Sequence, residues 1–251
     1  MKTWRRAARA ALVIAVALAV AATIWWAIQT PAQRQIHIGE RLSSVEKALF
    51  PQAISIELAD APACGNARQR VACWLRNNKS DIESAAQRFR IDRRAIAGLI
   101  AYEALLNVQL TIMQGLARWD GPGKVHYKEF RFTEGDPLAK QAEDRGMLPK
   151  RSMSERATLL RSAKWSTLYI AAIMRLFADA VRPFLRRDIS CDPGALATLV
   201  TAWRINAAQA HFARRGPGDV LVANNFAGNW IVANSMFLRE QVGPSRECER
   251  P

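Results

Sequence analysis

Ile91-Asp92-Arg93-Arg94-Ala95-Ile96-Ala97-Gly98-Leu99-Ile100-Ala101-Tyr102-Glu103-Ala104-Leu105-Leu106-Asn107 is the stretch that decides the fold. Asp92 is a good helix N-cap, because its carboxylate accepts a hydrogen bond from a first-turn amide that has no helical partner. Ile91 before it and Ile96 after it have the spacing of a hydrophobic staple. The pattern predicts a helix to about Leu106. At helical spacing Ile96, Leu99, Ile100, Glu103 and Leu106 share one face. A carboxylate therefore falls on the side expected to be buried. Burial disfavours the charged form and raises a carboxyl pKa. A carboxyl still protonated near neutral pH is what a general acid needs. Glu103 is thus the candidate catalytic residue. The competing reading is a structural acid paired with an arginine, since buried acids are rare unless paired or functional.

Outward from this helix the chain reads as mainly α. Arg68 to Arg76 has the pattern of a short helix. Ser80-Asp81-Ile82-Glu83 is a capping-box sequence that opens a helix through about Phe89. Helical spacing returns at Ser154 and continues to about Val181, with Leu168, Ile173, Met174, Leu176 and Phe177 as apolar surface. Asp192-Pro193 offers an N-cap followed by proline at the first helical position, for a helix to about Phe212. A last helix is expected from about Phe226 to Gln241, ending before Gly243-Pro244. No internal repeat and no convincing run of strands is present.

Between Leu116 and Pro149 the periodicity fades. Gly115, Gly121, Pro122, Gly123, Gly135, Pro137, Gly146 and Pro149 interrupt it. A long irregular stretch inside a domain is often functional, and His126, Tyr127, Phe130 and Phe132 argue against full disorder. Gly121 and Gly123 let backbone approach a ligand closely, while Lys124 and His126 offer donors. These four are candidate substrate-binding residues. The competing reading is an ordinary turn leading into a strand-like segment. Asp120, Glu129, Glu134 and Asp136 lie in the same region and are candidates for a second carboxylate.

The chain has 251 residues, a formal net charge of +14 and a hydrophobic content of 50%. That size suits one sizeable domain plus a short extra segment. The basic charge favours anionic partners. Lys2, Arg5, Arg6 and Arg9 precede an uncharged run from Ala10 to Ile28, about 19 residues and near the minimum for a spanning helix. Trp25 and Trp26 suit the membrane–water interface, and the basic flank is expected to stay cytoplasmic. A retained single-pass anchor in the inner membrane is the preferred reading, with a cleaved signal peptide as the alternative. Either one exports the main domain to the periplasm and leaves nucleic acid out as a partner. Cys64, Cys73, Cys191 and Cys248 then lie in an oxidising compartment. Of the three pairings, Cys64–Cys73 and Cys191–Cys248 are preferred, the second fastening the C-terminus to the start of a helix. A metal site is the alternative, but no CxxC or HxxxH spacing supports it, and His37, His126 and His211 are scattered. No nucleotide loop, HExxH, GxSxG or dinucleotide fingerprint occurs. No metal and no cofactor is expected.

The segment from Ala85 to Asp92 and on to Glu103 resembles the lysozyme-fold lytic transglycosylases. In that superfamily a short helix, an "Ile-Asp" step and an amphipathic helix lead to the catalytic glutamate, often within "Ala-x-x-x-x-Glu-Ser-x-x-Asn". Ala97 to Glu103 and Asn107 fit that shape, and Ala104 replaces the serine. A glycine-bearing turn lines the cleft in the family, and Gly121 to His126 is its counterpart by position, without the usual Gly-Leu-x-Gln. The family's later "Ala-Tyr-Asn-x-Gly" has its nearest match at Ala202-Trp203-Arg204-Ile205-Asn206. There Trp203 stands as an aromatic wall and Arg204 replaces the asparagine. Gly228 to Asn234 is similar to the segment before the last helix in some relatives, which makes Asn229, with Trp230 beside it, a further cleft candidate. The resemblance implies a lysozyme-like helical domain over residues 80–251. Residues 1–30 are then the basic flank and transmembrane signal-anchor, and 31–79 a linker and N-terminal helical extension. It implies a cell-envelope glycosidase acting on peptidoglycan glycan strands, of transglycosylase or muramidase type. The alternative is an inactive relative that binds glycan or an envelope protein partner.

Overall fold

A helix that is apolar on every side must be buried on every side. Ala95 to Ala101, within the helix Arg93–Leu105, have that composition. Ala95 to Ala101 are all buried, as are Glu103, Ala104 and Leu105. This helix, α3, is the axis of a mainly α structure. The computed structural model describes residues 64–106, 119–120, 122–123, 125–126, 138–200 and 226–249. Within them α3 is surrounded by α1 (Ala67–Asn77), α2 (Lys79–Phe89), α6 (Ala163–Leu185), α8 (Phe226–Ala233) and α9 (Ser235–Val242). One apolar core runs through all of them, from Val71 and Leu75 through Ile96 and Ile100 to Phe177, Ile231 and Leu238. Helix α1, which falls before residue 80, shares this core.

Local sequence explains most helix ends. Asp92 caps α3 as expected, accepting from the Arg94 amide at 2.8 Å. Ile91 and Ile96, the expected staple pair, are both fully buried. Leu106 departs from the expectation of a shared buried face. It is the C-cap of α3 and is 43% exposed, because the helix ends at Leu105 and the chain emerges there. The capping box expected at Ser80 does not form. Asn78 serves as the last cap of α1 and the first of α2, and its side chain is committed to the Trp74 carbonyl at 2.9 Å. The turn is so tight that α2 starts at Lys79 and takes Ser80 inside it. Capping boxes occur instead at Asn66/Gln69 and Ser152/Glu155.

The helical run expected from Ser154 to Val181 is two helices. Met153–Leu160 forms α5, and Ser162 caps α6 by accepting from the Trp165 amide at 3.3 Å. Helix α6 continues to Leu185 and tolerates Pro183 in its last turn. The last helix is likewise split, at Asn234, into α8 and α9, and stops at Gly243 with φ of 83°. Asp192 caps a short turn, Pro193–Ala195, that leads into α7 (Leu196–Leu199). The remainder of the helix expected toward Phe212 lies outside the described residues. The irregular region contains an antiparallel pair, β1 (Trp119–Asp120) and β2 (Val125–His126), with Trp119 opposite His126 and Asp120 opposite Val125. Helix α4 (Leu138–Asp144) follows. Both disulfides pair as preferred, Cys64–Cys73 and Cys191–Cys248. Among the described residues no helix is long and apolar enough to cross a membrane, and the Ala10–Ile28 run lies outside them.

The N-terminus of α3 is held by the C-terminal end of the chain. Arg93 is 2% exposed and has the buried carboxylate of Glu247 against it. Glu247 accepts from Arg93 Nε at 2.9 Å and Nη2 at 2.5 Å, and its other oxygen accepts from the Arg93 backbone amide at 2.8 Å. Arg93 Nη1 donates to the Val242 carbonyl at 3.3 Å, and Glu83 lies 3.1 Å from Nη2. Burial works against the Arg93 charge, but Glu247 and Glu83 outweigh it and raise the guanidinium pKa. Removing one member of a buried pair strands the other in an apolar interior. Glu247→Ala is therefore expected to lower the unfolding free energy by about 3–5 kcal/mol in urea denaturation. Glu83→Ala, at a partly exposed site, is expected to lower it by about 1 kcal/mol or less.

Candidate functional site

Glu103 lies near the C-terminal end of α3, three residues before its cap. It is 9% exposed, whereas Ile100, Ala101 and Ala104 around it are fully buried. The acid thus stands where the helix leaves the core: Tyr102 is half-buried and Leu106 is exposed. Burial alone does not single out Glu103, since α3 is enclosed along almost its whole length. Its neighbours give the position its character.

The first neighbour is the hairpin. Pro122 and Gly123 form the turn between β1 and β2 and both are buried. A Cβ added at Gly123 would lie 2.3 Å from Ile170 Cδ1 and 4.0 Å from Ile100 Cγ1. Any side chain at 123 would have to displace the end of Ile170 for the turn to sit this close to α6. Ile100 lies one turn before Glu103 on α3, so the turn reaches the helix that carries the acid. The second neighbour is α8. Gly98 lets it approach, since a Cβ there would meet Ile231 Cγ1 at 2.7 Å. One turn earlier on α8 a Cβ at Gly228 would lie 2.8 Å from the Ala197 carbonyl oxygen. The same helix brings the Trp230 ring edge-on to Tyr102, with centroids 6.4 Å apart.

Among the sequence-predicted residues, Gly123 is placed against Ile170 and near Ile100, a residue of the helix that carries Glu103. Asn229 is exposed on α8, and the contact beside the acid is made by Trp230. His126 is described through its backbone, paired with Trp119. Gly121, Lys124 and Trp203 lie outside the described residues, as do Glu129, Glu134 and Asp136. Asp120 is described through its backbone, paired with Val125. Among the described residues no group of three or more His, Cys, Asp or Glu is placed to hold a metal ion.

A second buried acid escaped the sequence reading. Glu143, on α4, is 2% exposed. Its Oε1 accepts from Arg156 Nε at 2.7 Å and from the Tyr169 hydroxyl at 2.7 Å. Its Oε2 accepts from Arg156 Nη2 at 2.7 Å and from the Arg151 amide at 3.1 Å. Burial pushes the Glu143 pKa up, but the donors from Arg156, Tyr169 and Arg151 overcome it and hold the carboxyl below its usual range. Tyr169 is pushed up by burial and by the carboxylate it serves. Separations of 13 and 26 residues carry no periodic signal that would reveal these partners.

No protein-family model, curated protein or solved structure matches this chain.

Two outcomes follow from this geometry. Gly123→Ala forces the end of the Ile170 side chain to move, and thermal unfolding is expected to show a loss of about 1–3 kcal/mol. For Glu143 the folded-state pKa is depressed, so its ionised form stabilises the fold above the unfolded value of about 4.3. That contribution is lost as pH falls through the lower folded value. Urea denaturation between about pH 5 and about pH 2 is expected to show a steeper loss of stability in the wild type than in Glu143→Gln.

Proposed function

We propose that the chain is a cell-envelope glycosidase that cleaves the glycan strands of peptidoglycan, of lytic transglycosylase or muramidase type, with Glu103 as general acid and base. The observation that carries this reading is the seating of the Gly123 turn against Ile170 and Ile100, one helical turn from Glu103. The resemblance expects a glycine-bearing turn that lines the cleft downstream of the acid, and here such a turn comes near Ile100 on the acid's own helix. The two disulfides accord with an oxidising compartment. The basic flank and apolar run at residues 1–30 accord with an inner-membrane anchor and a periplasmic domain.

In this reading the Glu103 carboxyl gives its proton to the glycosidic oxygen as the bond to the sugar carbon breaks. The carboxylate left behind then takes a proton from a hydroxyl. In a transglycosylase that hydroxyl belongs to the substrate, and its oxygen closes a ring on the same carbon. In a hydrolase it belongs to water, and the common design adds a second carboxylate across the cleft.

A second reading, an envelope protein that binds glycan or a partner protein without turnover, is favoured by Ala104. It is fully buried beside the acid and offers no hydroxyl where the resemblance expects one. Purified sacculi separate the two. Glu103→Gln keeps the shape and removes the acid. It is expected to cut muropeptide release by at least about 100-fold with the fold intact by circular dichroism. Release at the wild-type rate would sink the catalytic proposal. Sacculus binding by wild type with no release at all would select the binding protein.

A further inference from the structure

We propose that Glu143, Arg156 and Tyr169 are positioning residues that hold the Gly123 turn in register with the Glu103 helix. The placement of the hairpin is the starting point. Strands of two residues cannot fix their own position. Helix α4 packs against β2, and α5 packs against β1, so the hairpin is bracketed by two short helices. Helices of 7 and 8 residues have little stability of their own and depend on what they are tied to. Their tie is the buried pair between Glu143 on α4 and Arg156 on α5.

Tyr169 extends that tie to α6. Its hydroxyl donates to Glu143, and the next residue, Ile170, is the one whose Cδ1 receives Gly123. The polar anchor of the bracket and the apolar seat of the turn are thus successive residues of one helix. Helix α6 also packs on α3 and on β2. A shift of α4 relative to Tyr169 carries β2 with it and changes the distance from Gly123 to Ile100, one turn before Glu103. Buried polar networks with every group satisfied rigidify their surroundings, and here each Glu143 oxygen accepts two hydrogen bonds. A purely structural pair would stabilise the whole fold evenly. A positioning network stabilises the hairpin above the rest.

The consequence for turnover rests on the glycosidase reading, whereas the consequence for the hairpin does not. Tyr169→Phe removes one hydroxyl and keeps the ring, and Glu143→Gln is the second variant, changing the acceptor and leaving its size. Hydrogen exchange of the full chain, read by NMR or mass spectrometry, is expected to quicken about tenfold at the Gly123 and Val125 amides and stay unchanged in α1 to α3. Unchanged hairpin exchange in both variants, or an equal rise throughout the molecule, would overturn the proposal. With soluble peptidoglycan strands as substrate, Tyr169→Phe is expected to raise KM several-fold and leave kcat within about twofold of wild type. A kcat loss with KM unchanged would remove the link to substrate positioning. Local hairpin loosening together with no turnover by wild type would keep the positioning network and sink the glycosidase.

Discussion

The interaction on which the rest of the structure depends is the one between Glu247 and the start of α3. That helix opens with two arginines, Arg93 and Arg94, at the end where the helix dipole is positive. Left alone, that arrangement would destabilise the element around which, among the described residues, five other helices are packed. Two carboxylates reverse it. Asp92 takes Arg94 and the Ser245 hydroxyl, the latter at 2.6 Å. Glu247 takes Arg93 by side chain and by backbone amide at once. The C-terminal segment is therefore part of the cap of a helix 154 residues earlier in the chain. The Cys191–Cys248 bridge adjoins Glu247, and the Asp92 amide donates to the Ser190 carbonyl at 2.9 Å. Three distant segments thus meet at one end of α3 and fix it there.

The rest of the helix and its surroundings are held by other means. There the close contacts are glycine against isoleucine: Gly98, in the middle of α3, with Ile231, and Gly123, in the hairpin turn, with Ile170 of α6. Such contacts set distance without needing charge. The charged anchor on this side, Glu143 with Arg156 and Tyr169, stands away from α3 and acts on the elements that flank the hairpin. The acids that serve as anchors, Glu143 and Glu247, are each matched by arginine.

What could be read from the sequence follows the range of the interaction concerned. Asp92 announced its cap because the partner amide is two residues away. The cysteine pairing was legible from spacing and compartment, and Gly243 from its place after a helical run. Asn78 was not legible as a shared cap, because its role depends on how closely α1 and α2 are joined. The breaks at Ser162 and Asn234 were hidden for a related reason: apolar spacing runs on across them, and a break costs little where each half is packed separately. Leu106 was misplaced because a one-face reading assumes an exposed side, and α3 has almost none until it ends. Glu143 and Glu247 gave no local sign, since their partners are set by tertiary packing alone. Gly123 was legible as a glycine and illegible as a contact, because Ile170 and Ile100 come from two other helices.

Glu143 and Glu247 also sharpen what a buried acid means in this chain. Position on an apolar face was the first reason to choose Glu103, yet all three acids are buried, and two of them are structural anchors with arginine partners. Burial therefore selects a class of residues and not a function. The discriminating feature is where each acid sits relative to solvent and to a fixed wall. Glu247 is closed in between Arg93 and the C-terminal segment, and Glu143 is closed in between α4, α5 and α6. Glu103 is on the last turn of a helix that ends before the exposed Leu106; its sequence neighbour Tyr102 meets Trp230, and Ile100, one turn earlier, has the glycine turn near it. Proton transfer to a polymer needs an acid shielded enough to stay protonated and near enough to the surface to be reached. Of the three, Glu103 is the one on the last turn of α3, just before the exposed Leu106, and that placement near the surface is what helical periodicity by itself did not supply.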